Sequence, residues 1–112
     1  MTKSQIKILD RMWAVRVKSL AGYACEYCLE TSDYVKIDGA HIIGRANRAT
    51  RWDLDNGMAL CFFHHRQYDT HGMLHNSIFK VVIGDKRMER LTEKAQAIAK
   101  GQDFETIKEG LK

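Results

Sequence analysis

The sequence predicts an α+β domain with a helix at its N-terminal end, a short β-rich middle held by metal ligands, and a helical C-terminal third. Three observations carry that prediction. Apolar residues recur at helical spacing over residues 4–20, β-branched residues gather over residues 34–43, and two matched pairs, Cys25-Glu-Tyr-Cys28 and Cys61-Phe-Phe-His64, bracket the β-rich stretch. A chain of 112 residues suits one domain, residues 1–112, and a domain of that size gains from a staple beyond its apolar core.

The first element follows from periodicity. Ile6, Leu9, Trp13, Val17 and Leu20 return every three or four residues with Met12 beside them, and Thr2 or Ser4 is placed to cap the start. Gly22 is placed to end this N-terminal helix, residues 1–22, leaving Cys25 in the turn that follows. The start MTKSQIKILD is charged and has no apolar h-region, and no stretch approaches the roughly 18 apolar residues of a membrane span. A soluble, cytoplasmic protein with no membrane partner is the expectation.

In the middle, residues 34–37 and 40–43 read as short strands meeting at Asp38-Gly39, a turn or bulge signal. A polar loop over residues 44–56 then carries Arg45, Arg48 and Arg51, with Trp52 expected to pack beneath it. The apolar run over residues 57–63 reads as a further strand, and a helix is expected over residues 64–68. Residues 77–112 read as helical with breaks at Gly84 and Gly101, although residues 78–83 are β-rich enough by propensity to be a strand.

The two ligand pairs are separated by 32 residues. Two residues between ligands let a tight turn aim both side chains at one ion, and two such pairs complete the tetrahedral shell that zinc prefers. Three cysteines are an odd number for a disulfide framework, so thiolates on a structural Zn²⁺ are the expectation: Cys25, Cys28 and Cys61 with His64, or with His65 in its place. The plainer alternative makes the three cysteines small buried apolar side chains. A net charge of +4 permits a polyanionic partner and decides nothing alone.

Between and just past the pairs lie Ala40-His41-Ile42-Ile43-Gly44-Arg45, Arg51-Trp52-Asp53-Leu54-Asp55-Asn56, Leu60-Cys61 and His64-His65. Here the sequence resembles the HNH endonucleases, specifically the zinc-ribbon subgroup of phages and bacteria that includes nicking enzymes and NinG-like proteins. Arg-Trp-Asp-x-x-Asn-x-x-x-x-Cys is the most specific portion. The resemblance implies a ββα-metal (His-Me finger) core over residues 23–71, flanked by the N- and C-terminal helices. It also implies double-stranded DNA as partner, Mg²⁺ or Mn²⁺ as catalytic cofactor, and hydrolysis to 5′-phosphate and 3′-hydroxyl ends.

By the same resemblance His41 is the general base, Asn56 aims it, and His65 binds the catalytic ion. Phosphodiester hydrolysis needs a deprotonated water and a cation on the transition-state oxygens, which such a set supplies. The chain departs from the family pattern at Ala40, where many members carry a further metal ligand. Asp69, one helical turn beyond His65, is the first substitute, ahead of Asp38 and His71, unless water and phosphate hold most of the ion. Arg45, Arg48, Arg51 and Arg66 surround the implied site as a phosphate clamp, unless Arg45 or Arg51 instead pairs with Asp53 or Asp55 to fix the loop.

One site per chain implies nicking by a monomer, with double-strand breaks left to a homodimer. Singly, each residue has an ordinary role: His41 as a hydrogen-bonded strand residue, Asn56 as a turn, His65 as a surface helix residue. Their order between two ligand pairs favours the joint reading, and His71 and His75, without such support, are expected on the surface or at caps. Ala40 keeps open an alternative, a catalytically inactive zinc-ribbon module that binds nucleic acid. A ribonuclease would use the same chemistry on another substrate.

Overall fold

The computed structural model describes residues 1–29, 36–69, 82–97 and 101–112. In chain order these form α1 (Lys3–Leu20), β1 (Ile37–His41), a 3-10 turn (Leu54–Asn56), β2 (Gly57–Cys61), α2 (residues 62–69), α3 (Asp85–Gln96) and α4 (Phe104–Gly110). The architecture is α+β, four helices around a two-stranded antiparallel sheet among the described residues. No described helix is long and apolar enough to cross a membrane.

Local chemistry sets both ends of α1. Thr2 and Gln5 form a reciprocal capping box: the Gln5 N–H donates to Thr2 Oγ1 at 3.1 Å and the Thr2 N–H to Gln5 Oε1 at 3.0 Å. At the far end Gly22 takes φ +65°, so that its N–H reaches Ser19 O at 3.0 Å and the Tyr23 N–H reaches Lys18 O at 2.9 Å. That is a Schellman stop, which needs a residue without a Cβ penalty at positive φ. Leu9, Trp13 and Val17 are buried as expected, whereas Leu20 is 61% exposed, so the apolar stripe ends a turn early.

The sheet pairs Ile37 with Cys61 at one end and His41 with Gly57 at the other. Asp38 and Gly39, expected at a turn, lie inside β1 opposite Leu60 and Ala59. The reason is helix packing: a Cβ on Gly39 would sit 3.1 Å from Ala14 Cα, and one on Gly57 only 2.2 Å from Val17 Cγ2. These glycines mark where α1 lies against the sheet backbone, not where the chain reverses. Residues 34–35 of the expected first strand lie outside the described residues. The expected strand over residues 57–63 stops at Cys61 because α2 begins at residue 62.

β2 is buried along its whole length, and its side chains divide between two apolar clusters. Met58 and Leu60 join Cys25, Ala40, Cys61 and Ile83, whereas Ala59 joins Leu9, Trp13, Val17, Trp52 and Leu111. The edge of β2 away from β1 is also covered. Glu26 N–H donates to Ala59 O at 2.8 Å, its Oε2 accepts from the Ala59 N–H at 2.6 Å, and Arg87 of α3 donates to Gly57 O. Backbone groups that would template another strand are thereby satisfied.

The C-terminal breaks fall where expected, with Gly84 at φ +86° and Gly101 at φ +64°. Residues 82–83 are helical rather than extended, and residues 78–81 lie outside the described set. From α3, Lys94 pairs with Asp53 at 2.7 Å and Arg90 with Asp55 at 3.3 Å, so both loop carboxylates are engaged from the C-terminal side.

Candidate functional site

Cys25 and Cys28 lie in the segment after α1, Cys61 ends β2, and His64 sits in the first turn of α2. Their sulfurs and a histidine nitrogen all lie within 4.8 Å of one another, close enough to hold a metal ion. Cys61 Sγ is 3.2 Å and Cys25 Sγ 3.8 Å from His64 Nδ1, and Cys28 Sγ is 3.9 Å from Cys61 Sγ. A tetrahedral zinc shell has ligand-to-ligand edges of about 3.5–3.8 Å, so the separations suit one ion at the centre. Burial raises the Cys25 thiol pKa, but backbone N–H groups of Cys28, Cys61 and Tyr27 facing the sulfur outweigh it, and the net shift is downward. The pocket therefore favours thiolate, the form that binds metal. His65 is not in this group. Neighbouring helix positions point about 100° apart, and the pair His64-His65 is divided between two sites.

The second site is a cleft of about 490 Å³ lined by Trp13, Gly39, His41, Arg45, His65 and Asp69, among others. His41, the last residue of β1, bonds through Nε2 to the Arg51 carbonyl at 2.9 Å. A carbonyl oxygen only accepts, so Nε2 carries the hydrogen and Nδ1 of the neutral ring keeps a lone pair. Among the described residues Nδ1 has no hydrogen-bond partner. The indole of Trp13 stacks on the ring, centroids 3.8 Å apart and planes 7° from parallel. Burial lowers the His41 pKa below the ordinary imidazole range, outweighing the opposing pull of the Arg51 carbonyl and Asp10. The ring is accordingly neutral at neutral pH.

Asn56 is fully buried, and its side chain hydrogen-bonds Ile43 rather than His41. Its Oδ1 accepts from the Ile43 N–H at 2.7 Å, its Nδ2 donates to Ile43 O at 2.9 Å, and its own carbonyl accepts from the Ile42 N–H at 2.9 Å. It fixes the backbone of the two residues that follow His41.

His65 has an aspartate beside each ring nitrogen. Nδ1 lies 3.0 Å from Asp38 Oδ2 and Nε2 lies 3.5 Å from Asp69 Oδ2. The Asp38 side chain is 19% exposed and the Asp69 side chain 67%. With Asp38 as the inner acceptor of Nδ1–H, the Nε2 lone pair faces the outer carboxylate, an arrangement in which nitrogen and oxygen can share a cation. No family model, curated protein or solved structure matches this chain. What the site can do is therefore read from its own geometry.

The four arginines have different contacts, although Arg48 and Arg51 both lie over the Trp52 ring, at 5.5 and 5.4 Å. Arg45 lines the cleft. Arg51 is taken up by Asp10 of α1 in a two-pronged pair, Nε to Oδ1 at 3.1 Å and Nη2 to Oδ2 at 2.8 Å, rather than by Asp53 or Asp55. Arg48 lies 5.5 Å over the Trp52 ring, beside a separate hollow that includes Gln102 and Ile107. Arg66 lies on α2, 5.7 Å over the Phe62 ring. Trp52 is buried beneath the loop as expected, its Nε1–H donating to Asp10 Oδ1 at 2.9 Å. His71 and His75 fall outside the described residues.

Two residues that shape the cleft, Asp10 and Trp13, escape sequence reasoning. Trp13 reads in sequence as one more position of the apolar stripe, and nothing in the sequence singles out Asp10. Only their spacing of three, which places both on one helix face, hints that they act together.

Proposed function

We propose that this chain is a metal-dependent endonuclease of the HNH type that hydrolyses DNA phosphodiester bonds, nicking one strand per engagement. The observation that carries the reading is His41: a neutral ring, tied at Nε2 to a carbonyl, with its Nδ1 lone pair unclaimed among the described residues, in a cleft shared with His65 and Asp69. In this reading the order β1, β2, α2 is a ββα-metal core, and the three sulfurs with His64 Nδ1 hold a structural zinc. A Mg²⁺ or Mn²⁺ ion held by His65 and Asp69 would supply positive charge to the scissile phosphate.

His41 Nδ1 takes a proton from water, the water oxygen forms a bond to phosphorus, and the bond from phosphorus to the 3′ oxygen breaks. That oxygen takes a proton from solvent, leaving 3′-hydroxyl and 5′-phosphate ends. Asn56 keeps the base in place through Ile42 and Ile43. Arg45, at the cleft wall, is the group best placed to meet a substrate phosphate.

One observation favours a second reading. Ala40, at the position where many HNH enzymes carry a ligand, is buried among Cys25, Met58 and Leu60 and supplies none. An inactive zinc-ribbon module that only binds nucleic acid would tolerate that. Supercoiled plasmid incubated with Mg²⁺ or Mn²⁺ separates the two: the enzyme converts it to nicked circles, and His41→Ala lowers the rate by about 10²- to 10⁴-fold. Retarded plasmid without nicks, equal for both proteins, would establish the module instead, and an RNA competitor tests whether DNA is the preferred substrate.

A further inference from the structure

Helix α1 makes more than apolar contacts with the cleft. Asp10 and Trp13, three residues apart on one face, reach three consecutive residues of the loop that precedes β2. Asp10 holds the Arg51 guanidinium through Nε and Nη2 and accepts from Trp52 Nε1, while Trp13 Nε1–H donates to Asp53 O at 2.9 Å. Arg51 in turn presents the carbonyl that receives His41 Nε2–H, and Trp13 presents the ring face on which His41 lies. The seat of the helix is fixed independently, since Ala14 and Val17 close on Gly39 and Gly57 with no room for a Cβ at Gly57.

We infer that Asp10 and Trp13 are positioning residues for His41: Asp10 fixes the acceptor of the Nε2–H through Arg51, and Trp13 fixes the plane of the ring. Neither need meet the substrate. Apolar packing alone does not account for the pattern, because a helix docked only by Leu9 and Val17 has no use for an ion pair and two indole hydrogen bonds converging on residues 51–53. An imidazole bonded at one nitrogen can still rotate about that bond, and a parallel indole at 3.8 Å removes that freedom. The inference rests on the nuclease reading only for its kinetic consequence.

The test uses the full chain loaded with zinc, ¹⁵N-labelled, at a pH above the ordinary imidazole range. Proton NMR of the wild type is expected to show a His41 Nε2–H resonance protected from exchange with water, and ring protons shifted upfield by the indole. In Asp10→Asn, still folded by circular dichroism, the protected resonance is lost and the upfield shifts remain. In Trp13→Leu the upfield shifts are lost. Should Asp10→Asn fail to fold, Arg51→Lys, which keeps the charge and removes the two-pronged geometry, is expected to lose the same resonance.

In nicking assays both positions act on kcat, by about 10- to 100-fold, with KM for DNA unchanged. A protected Nε2–H unaltered in folded Asp10→Asn and Arg51→Lys overturns the role of Asp10, and unaltered ring shifts in Trp13→Leu overturn that of Trp13. The spectra report on His41 whether or not plasmid is cut. An inactive protein with the expected spectra would therefore defeat the nuclease reading and leave the positioning intact.

Discussion

His64 and His65 are neighbours in α2, yet one completes a group of three cysteine sulfurs and the other lines a cleft together with His41. The two regions differ in what their polar atoms are given. Around Cys25 and Cys61, donors and acceptors close on one point: four ligand atoms within 4.8 Å, with backbone N–H groups on the sulfur. The His41 ring is tied at one nitrogen and stacked on one face, and its other nitrogen keeps a lone pair. A region that closes on itself holds structure together; one that leaves a single basic atom unclaimed is ready to act on something else.

If the cysteine region is a staple, its loss should unfold the chain. Zinc binding in small domains contributes on the order of 10 kcal/mol, comparable with the whole net stability of a typical domain, about 5–15 kcal/mol. Chelation, or Cys61→Ser, is expected to abolish the cooperative thermal transition seen by circular dichroism, with zinc restoring it after chelation. His65→Ala, on the other side of the contrast, is expected to change stability by no more than about 1 kcal/mol, since its carboxylate contacts are partly exposed. Equal melting with and without chelator would erase the distinction.

Asn56 precedes Gly57, the strand partner of His41, and is a buried part of the scaffold whose bonds end on the residues that follow His41. Asn56→Ala leaves the Ile43 N–H and carbonyl without partners, at about 1–3 kcal/mol for each buried group. A loss of about 2–6 kcal/mol in denaturant titration is expected, with plasmid nicking reduced even where the variant is folded. An isolated loss of activity at full stability would mean that Asn56 touches substrate instead.

Much of this arrangement is legible in the sequence, for reasons that differ by element. The end of α1 at Gly22, the breaks at Gly84 and Gly101 and the ligand pairs can be read because each depends on a local rule: positive φ, or two ligands across a tight turn. Asp38-Gly39 misleads because the same dipeptide that makes a turn also allows a helix to lie on a strand, and only the packing of Ala14 decides between them. The pairing of Arg51 with Asp10 crosses 41 positions and leaves no periodic trace, so the sequence points to the nearer Asp53 and Asp55. Asp38 reads in sequence as a candidate metal ligand. In β1, opposite Leu60, its Oδ2 lies 3.0 Å from His65 Nδ1, a contact across 27 positions that no local pattern announces.

The pH dependence tests the unclaimed nitrogen. Burial lowers the His41 pKa, so the unfolded chain takes up a proton at a higher pH than the folded one does. His41 therefore adds its full stability above the ordinary value of about 6.5, and that contribution declines as pH falls from there toward the lowered value. On the nuclease reading the rate shares the direction, since a protonated Nδ1 cannot accept from water. Single-turnover nicking is expected to stay level down to about pH 6.5 and then to fall about tenfold per unit once below the His41 pKa. An acid limb beginning above the ordinary range would mean that a neighbouring carboxylate, not burial, governs the ring.

The smallest effect separates the arginines. Each phosphate contact made by a cation adds about 0.9 to the slope of log affinity against log salt concentration on duplex DNA. Arg45, on the cleft wall, is expected to account for one such contact, so Arg45→Ala lowers the slope by about that amount and weakens binding a few-fold. Arg48 rests on Trp52 beside a different hollow, and Arg48→Ala should leave the slope nearly unchanged. Equal losses from both would place the DNA path across the two hollows, along the loop that Asp10 and Trp13 hold, and the cleft would then be one end of a longer track rather than the whole of the binding surface.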